Sequence, residues 1–268
     1  MSINVHTSGK LGRIVPPILA FVLFVGLWQL IVAQADIPPY MLPKPSDIAL
    51  SVGDNWRSLL GSVYTTALET VIGFLLSVVG GVVGAIVLAS SKVVERSVYP
   101  YAIVLQTIPI VAVAPIIVIW FDAGLRSIVI IAFLIGFCPM LSNTLIGLNS
   151  TDRNLQQLFR LYNASKWQTM WRLRIPAALP YIVGGLKISC SLCVIGAIVG
   201  EYVAGVGGGQ GGLGYAITYA AMRIQTPYLF ACGLTASLLG IAFYQLVNGL
   251  SRRLLGSWHE SELAADHE

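Results

Sequence analysis

The sequence predicts an all-α polytopic membrane protein of about six transmembrane helices, and three observations carry that prediction. The first is composition. Of 268 residues, 56% are hydrophobic and only 10% charged, with a mean hydropathy of +0.78. A chain this apolar cannot hide its side chains in one soluble core. The second is clustering: the apolar residues gather into six runs, each long enough to cross a bilayer. The third is charge asymmetry. With both termini on the cytoplasmic side, the segments on that side hold twelve of the sixteen Lys and Arg residues, as the positive-inside rule requires. The formal charge of +4 therefore reports orientation and gives no reason to expect a nucleic-acid partner.

Residues 1–13 form a polar cytoplasmic N-terminus, and the membrane domain occupies residues 14–250. The first span is Ile14 to Val32. Ala33-Gln34-Ala35 resembles a signal-peptidase site, but the run is longer than a signal core and further spans follow, so a retained helix is expected. Pro38, Pro39, Pro43 and Pro45 hold the next stretch extended. Ser46 then caps a short helix to Leu60, with Ile48, Val52, Trp56 and Leu59 on one face, lying either in the outer interface or on the rim of the bundle. The second span, Val63 to Ala89, carries Gly73, Ser77 and Gly81 at four-residue intervals, with Gly80 and Gly84 beside them, which permits close helix contact. Glu69 lies in its outer part, facing a cavity or reaching the interface. Lys92 and Arg96 mark a cytoplasmic turn.

Val98 to Phe121 is the third span, interrupted by Pro109 and Pro115 with Gln106 and Thr107 just before. Prolines free carbonyls one turn back, and these survive only against protein or a wet cavity. The stretch is read as path lining or as a packing kink. The fourth span, Ile128 to Leu148, contains Pro139 and Asn143-Thr144. The fifth, Leu179 to Val203, ends at Gly200-Glu201-Tyr202, where Glu201 is a path or gate residue or a snorkelling carboxylate. The translocation-path candidates are Gln106, Thr107, Pro109, Asn143 and Glu201. Gly205 to Gly214 reads as a turning outer loop. The sixth span, Leu229 to Leu250, is anchored by Arg252-Arg253, and residues 251–268 form a cytoplasmic tail whose end, from His259, is expected to be disordered. Cys138, Cys190, Cys193 and Cys232 all sit in apolar runs, so Cys190-x-x-Cys193 is read as small-residue packing.

Between the fourth and fifth spans lies the basic segment Asp152 to Pro180, DRNLQQLFRLYNASKWQTMWRLRIPAALP, with five Arg or Lys residues and one acid. Its apolar residues keep a helical period, with Leu155, Leu158, Phe159 and Tyr162, then Trp167, Met170 and Trp171. Asn163 breaks the first helix and Ser165 caps the second. Two short amphipathic helices on the cytoplasmic face, carrying two tryptophans, describe a docking knob, with a solvated inter-helix loop as the alternative. No phosphate-binding loop, hydrolase triad, metal cluster or paired intramembrane carrier charges are present. No catalytic or metal-binding residue is therefore assigned, and the pattern suits a pore moved by another protein's energy. A stand-alone channel or secondary carrier is the alternative.

This segment resembles the coupling motif of ABC-importer permeases, E-A-A followed by a Gly and an I-x-L-P ending. Gln157-Leu158-Phe159 stands for E-A-A, Asn163 for the Gly, Ala164-Ser165-Lys166-Trp167-Gln168 for the continuation, and Arg174-Ile175-Pro176-Ala177-Ala178-Leu179-Pro180 for the ending. Leu42-Pro43-Lys44-Pro45-Ser46, Gln106-Thr107-Ile108-Pro109, Ala114-Pro115 through Trp120-Phe121, and Gly200-Glu201 with Gly212-Leu213-Gly214-Tyr215 are similar to the nitrate, sulfonate and taurine branch. Gln106-Thr107-Ile108-Pro109 and Ala177-Ala178-Leu179-Pro180-Tyr181 are closer to permeases for thiamin-pyrimidine precursors or riboflavin. Three departures are the lost Glu of the motif, its lost Gly (Asn163 here), and Glu69, which stands where relatives often have Arg.

The resemblance implies a type I importer-like fold in a bacterial cytoplasmic (inner) membrane, working as a homodimer above two ABC ATPase subunits and below an extracytoplasmic binding protein. The chain itself would bind no cofactor; ATP and Mg belong to the ATPase. The coupling segment, 151–178, would contact that ATPase through Gln157, Arg160, Asn163, Ala164, Ser165, Lys166, Trp167, Ile175 and Pro176. The cargo would be a small polar or anionic solute.

Overall fold

The computed structural model describes residues 10–206 and 211–255. The tail with His259, the first residues and part of the glycine loop lie outside the described residues. Eleven helices are described, and the chain order is α1 (Lys10–Gln34), α2 (Pro45–Asp54), α3 (Trp56–Ser90), α4 (Lys92–Thr107), α5 (Ile110–Phe121), α6 (Leu125–Asn149), α7 (Arg153–Leu161), α8 (Lys166–Thr169), α9 (Ile175–Val206), α10 (Leu213–Met222) and α11 (Thr226–Leu255), with a π-helical stretch Met170–Arg174 joining α8 to α9. Helices α1, α3, α6, α9 and α11 fall in segments long and apolar enough to cross a membrane, and the bent pair α4–α5 is a sixth candidate. The protein is a multi-pass membrane protein.

The core is the triple contact of α3, α6 and α9, and small residues make it. In lipid there is little hydrophobic gain from bringing helices together, so association depends on close packing and interhelical hydrogen bonds. A Cβ on Gly73 would stand 2.7 Å from Ala132 Cβ, one on Gly81 2.8 Å from Met140 Cβ, and one on Gly196 2.8 Å from Ala132 Cα. At the centre, Ser77 Oγ donates to Phe133 O at 2.9 Å and Ser189 Oγ to Gly136 O at 2.8 Å. A Cβ on Gly136 would collide with Cys193 Sγ and lie 2.8 Å from Ser77 Oγ, and Cys193 is itself fully buried with a free thiol.

Gly136→Ala is therefore expected to destabilise by about 1–3 kcal/mol through overpacking. Gly61→Ala, where nothing lies within 4 Å of the added Cβ, is expected to be neutral or stabilising by up to ~1 kcal/mol through helix propensity. Thermal midpoints in one detergent check the pair. Equal losses for both substitutions would mean that close packing at Gly136 is not what matters.

Several expectations are corrected. The short helix is α2, which starts one residue after Lys44 with Pro45 at its first position, where the missing N–H costs nothing. Ser46 does not cap it; its N–H and Oγ bond Gln29 on α1, each at 3.2 Å. The helix also stops at Asp54, and Trp56 already belongs to α3. The third span is not one helix. α4 and α5 meet at 97° across Ile108 and Pro109. Ile108, preceding a proline, is pushed to extended geometry (φ −72°, ψ 122°), and Pro109 follows it at φ −64°, ψ 110°. Finally, α10 forms within what the apolar pattern leaves as a connection.

Candidate functional site

Each half of the polar hairpin is locally determined. Asp152 caps α7, its Oδ1 accepting from the N–H groups of Asn154 at 2.6 Å and Leu155 at 3.2 Å. Asn163 ends that helix with φ +53°, a left-handed conformation that Asn tolerates better than most residues. The Ala164 N–H returns to Phe159 O at 2.9 Å. Ser165 opens α8 with a reciprocal box: the Gln168 N–H donates to Ser165 Oγ at 3.1 Å, and the Ser165 N–H to Gln168 Oε1 at 2.8 Å.

The side chains of α7 and α8 stay outside the core. No residue of either helix is buried, and Leu155, Leu158, Leu161, Tyr162, Trp167 and Trp171 are all exposed. Trp167 (64% exposed) and Trp171 (53%) stand edge to face, with ring centroids 5.9 Å apart. Gln157, Arg160, Asn163, Ser165 and Lys166 share this exposed surface, and Ala164 is half-buried in the turn. Ile175 and Pro176 are placed differently. Both belong to the first turn of α9, and Ile175 packs on the core cluster of Leu88, Leu148 and Ala178.

Two side chains absent from the candidate set fasten this hairpin to the bundle. Met170 is buried in that same cluster. Arg174 spreads its guanidinium over three acceptors, with Nε donating to Leu148 O, Nη1 to Ala89 O and Nη2 to Asn149 Oδ1, each at 2.9 Å. Asn149 Nδ2 donates in turn to Glu95 Oε1 at 2.8 Å, and Lys92 Nζ to Glu95 Oε2 at 2.9 Å. In the sequence Arg174 was visible as a basic residue opening the motif's ending, with nothing local to show which carbonyls it would reach.

The path candidates divide into two places. Gln106, Thr107 and Pro109 are exposed at the α4–α5 elbow. Gln106 Nε2 donates to Ser142 Oγ at 2.9 Å, which brings neighbouring Asn143 to the same level, where its Nδ2 bonds Pro139 O at 2.8 Å. Glu201 is elsewhere. Asn143 is level with Gly185 on α9, sixteen residues before Glu201, which is about 24 Å of helical rise.

Glu201 is 1% exposed and its carboxylate is engaged. Oε1 accepts from Thr66 Oγ1 and Oε2 from the Gly214 N–H, both at 2.7 Å, while the Leu213 N–H donates to Thr66 Oγ1 at 2.8 Å. A carboxylate on α9 and a threonine on α3 thus satisfy orphan N–H groups at the start of α10. Gly212 (φ +82°) makes room, since a Cβ there would overlap the Glu201 carboxylate. Glu69, 2% exposed, lies one turn beyond Thr66 on α3. It does not reach the surface, and its carboxyl meets that of Glu201, a buried carboxyl pair not expected from the sequence. In this arrangement Glu201 holds a helix terminus as a latch.

A bundle of apolar helices with one capped, aromatic, water-exposed hairpin defines a class, and the comparisons name it. The chain belongs to the family described as binding-protein-dependent transport system inner membrane component, whose model matches residues 77–256. It is the permease subunit of an ABC importer. The chain is 36% identical over 247 residues to the formylaminopyrimidine transport permease protein ThiX of Halalkalibacterium halodurans, covering 92% of this chain and 96% of that protein. It is also 36% identical over 250 residues to the riboflavin transport system permease protein RibX of Chloroflexus aurantiacus, covering 91% and 90%. The nitrate import permease protein NrtB of Synechococcus elongatus is 25% identical over 220 residues, covering 78% and 77%. A solved amino acid ABC transporter with histidines has the same fold, with a TM-score of 0.60 at 16% identity over 76% of this chain and 97% of that one.

Proposed function

We propose that the chain forms the translocation path of its importer as a homodimer in the cytoplasmic membrane, with both termini and the hairpin on the cytoplasmic side. Two ABC ATPase subunits, which carry the ATP and Mg, dock on the hairpins, and an extracytoplasmic binding protein delivers the solute at the other end. The observation that carries this reading is the hairpin itself, rigidly capped and exposing two tryptophans and a tyrosine beside Arg160 and Lys166. Exposed aromatic surface on a well-ordered polar element is surface waiting for a partner.

ATP-driven closure of the ATPase pair would displace the hairpins and shift the permease between two arrangements, each favoured by a different bound state. The elbow residues Gln106, Thr107 and Pro109, with Asn143, are the proposed path lining. Glu201 acts on the path through α10. The cargo is a small polar or anionic solute. The 36% identity to permeases named for formylaminopyrimidine and riboflavin favours a planar heterocycle over nitrate or a sulfonate.

The test is uptake into proteoliposomes holding this permease with its ATPase and binding protein, with formylaminopyrimidine and riboflavin as trial solutes. Uptake of either that needs ATP, the ATPase and the binding protein together is expected. Uptake by the permease alone would instead establish a channel or secondary carrier.

A further inference from the structure

The hairpin is a lever with a narrow base. None of the side chains of α7 or α8 is buried; the hairpin is tied to α6 in front through buried Thr151, whose O accepts from Gln156 Nε2 at 3.0 Å, and to the bundle behind through Met170 and Arg174. The Met170 contact is apolar and non-directional. The Arg174 contact is directional in three ways at once, because a planar guanidinium offers N–H groups in fixed directions. Two of its acceptors, Ala89 O and Leu148 O, are among the last carbonyls of α3 and α6. Those carbonyls have no partner inside their helices, and a cation suits the negative end of a helix dipole. One side chain thus caps two core helices.

The third acceptor extends the connection. Asn149 bonds Arg174 with one end of its amide and Glu95 with the other, and Glu95 is held by Lys92. Both Lys92 and Glu95 lie in the first turn of α4. That helix is sixteen residues long, about 24 Å, and its far end is the elbow with Gln106, Thr107 and Pro109. A run of side-chain hydrogen bonds followed by one helix, α4, with Pro100 inside it, therefore links the docking hairpin to the elbow. Met170 to Arg174, the stretch that holds the base, is also the only π-helical segment among the described residues, a rare geometry that is frequent at functional sites.

We propose that Arg174 is a positioning residue of the transport cycle. Its guanidinium fork, with the Asn149–Glu95 bridge, carries displacement of the hairpin to α3, α6 and α4, and through α4 to the elbow. This rests on the reading that the ATPase docks on the hairpin, so the experiment measures docking separately.

The complete importer, permease with ATPase and binding protein, is reconstituted with wild type, Arg174→Gln or Glu95→Gln. ATPase recovery, ATP hydrolysis and uptake are measured on each. ATPase recovery and hydrolysis within twofold of wild type are expected for both variants. Uptake per ATP falls at least tenfold in Arg174→Gln and about threefold in Glu95→Gln. Unchanged uptake per ATP overturns the proposal, as does a loss of uptake that only mirrors lost ATPase recovery. If Arg174→Gln does not accumulate in the membrane, Arg174→Lys decides, since it keeps the charge and loses the fork; the same fall in uptake per ATP is expected. Failure to recover ATPase even with wild type would remove the docking reading, and this proposal with it.

Discussion

An aspartate in place of Ala164 is expected to abolish solute uptake while leaving the protein inserted and folded. Ala164 sits in the turn between α7 and α8, half-buried, its N–H closing the hairpin onto Phe159 O at 2.9 Å. That backbone bond is independent of the side chain, so the substitution leaves the turn intact. What changes is the surface beside Trp167, Lys166 and Tyr162. A carboxylate there must be desolvated by any protein that covers the hairpin, and an unpaired buried charge costs several kcal/mol. At 1.4 kcal/mol per tenfold in affinity, a penalty of ~3–5 kcal/mol weakens ATPase docking by roughly two to four orders of magnitude. Recovery of the ATPase with tagged permease and uptake in proteoliposomes measure the two consequences. Wild-type uptake by this variant would remove the hairpin from the coupling path altogether.

The second large effect is expected at the opposite end of α9. Glu201→Ala leaves the Gly214 N–H without its acceptor and Thr66 Oγ1 without its carboxylate partner, in a site where Glu201 is 1% exposed. Hydrogen bonds to a charged group contribute about 1.5–3 kcal/mol each, and buried donors left unmade cost a comparable amount. A loss of at least ~3 kcal/mol is expected, read as a lower thermal midpoint in detergent and uptake reduced at least tenfold. Gly212→Ala is expected to follow it, because the added Cβ overlaps the same carboxylate and the backbone there has φ +82°. Normal stability and uptake in Glu201→Ala would mean that α10 is held by its apolar contacts alone.

Much of this architecture was legible because its signals are local. Six apolar runs need only hydropathy to be seen, and the hairpin needs only short-range capping chemistry. Asn163 can turn left-handed and Ser165 can cap whatever surrounds them, and both do so here. Pro109 announced an interruption, but not its 97° angle, because the angle depends on what α4 and α5 pack against. The latch was illegible for a similar reason. Gly200-Glu201 and Gly212-Leu213-Gly214-Tyr215 could be read as separate phrases, yet nothing local says that the carboxylate of one fills the space left by the glycines of the other. Ser46 shows the opposite failure. A good capping residue was present, but Pro45 starts the helix one residue earlier, which leaves Ser46 inside the first turn and bonded to Gln29 on α1.

The latch also bears on how the chain is made. Thr66 and Glu201 are 135 residues apart. At a synthesis rate of about 5–20 residues per second, α9 leaves the ribosome roughly 7–27 s after α3. For that interval α3 must reside in the translocon or the bilayer with Glu69 alone and Thr66 bonded only to Ser62 O of its own helix. An acidic residue inside a lone transmembrane helix is a cost of insertion that later helices cannot refund in advance. The insertion machinery, or the snorkelling of Glu69 toward water, must carry α3 through that wait. The third helix in the order of synthesis is therefore where biogenesis of this permease is most exposed to failure.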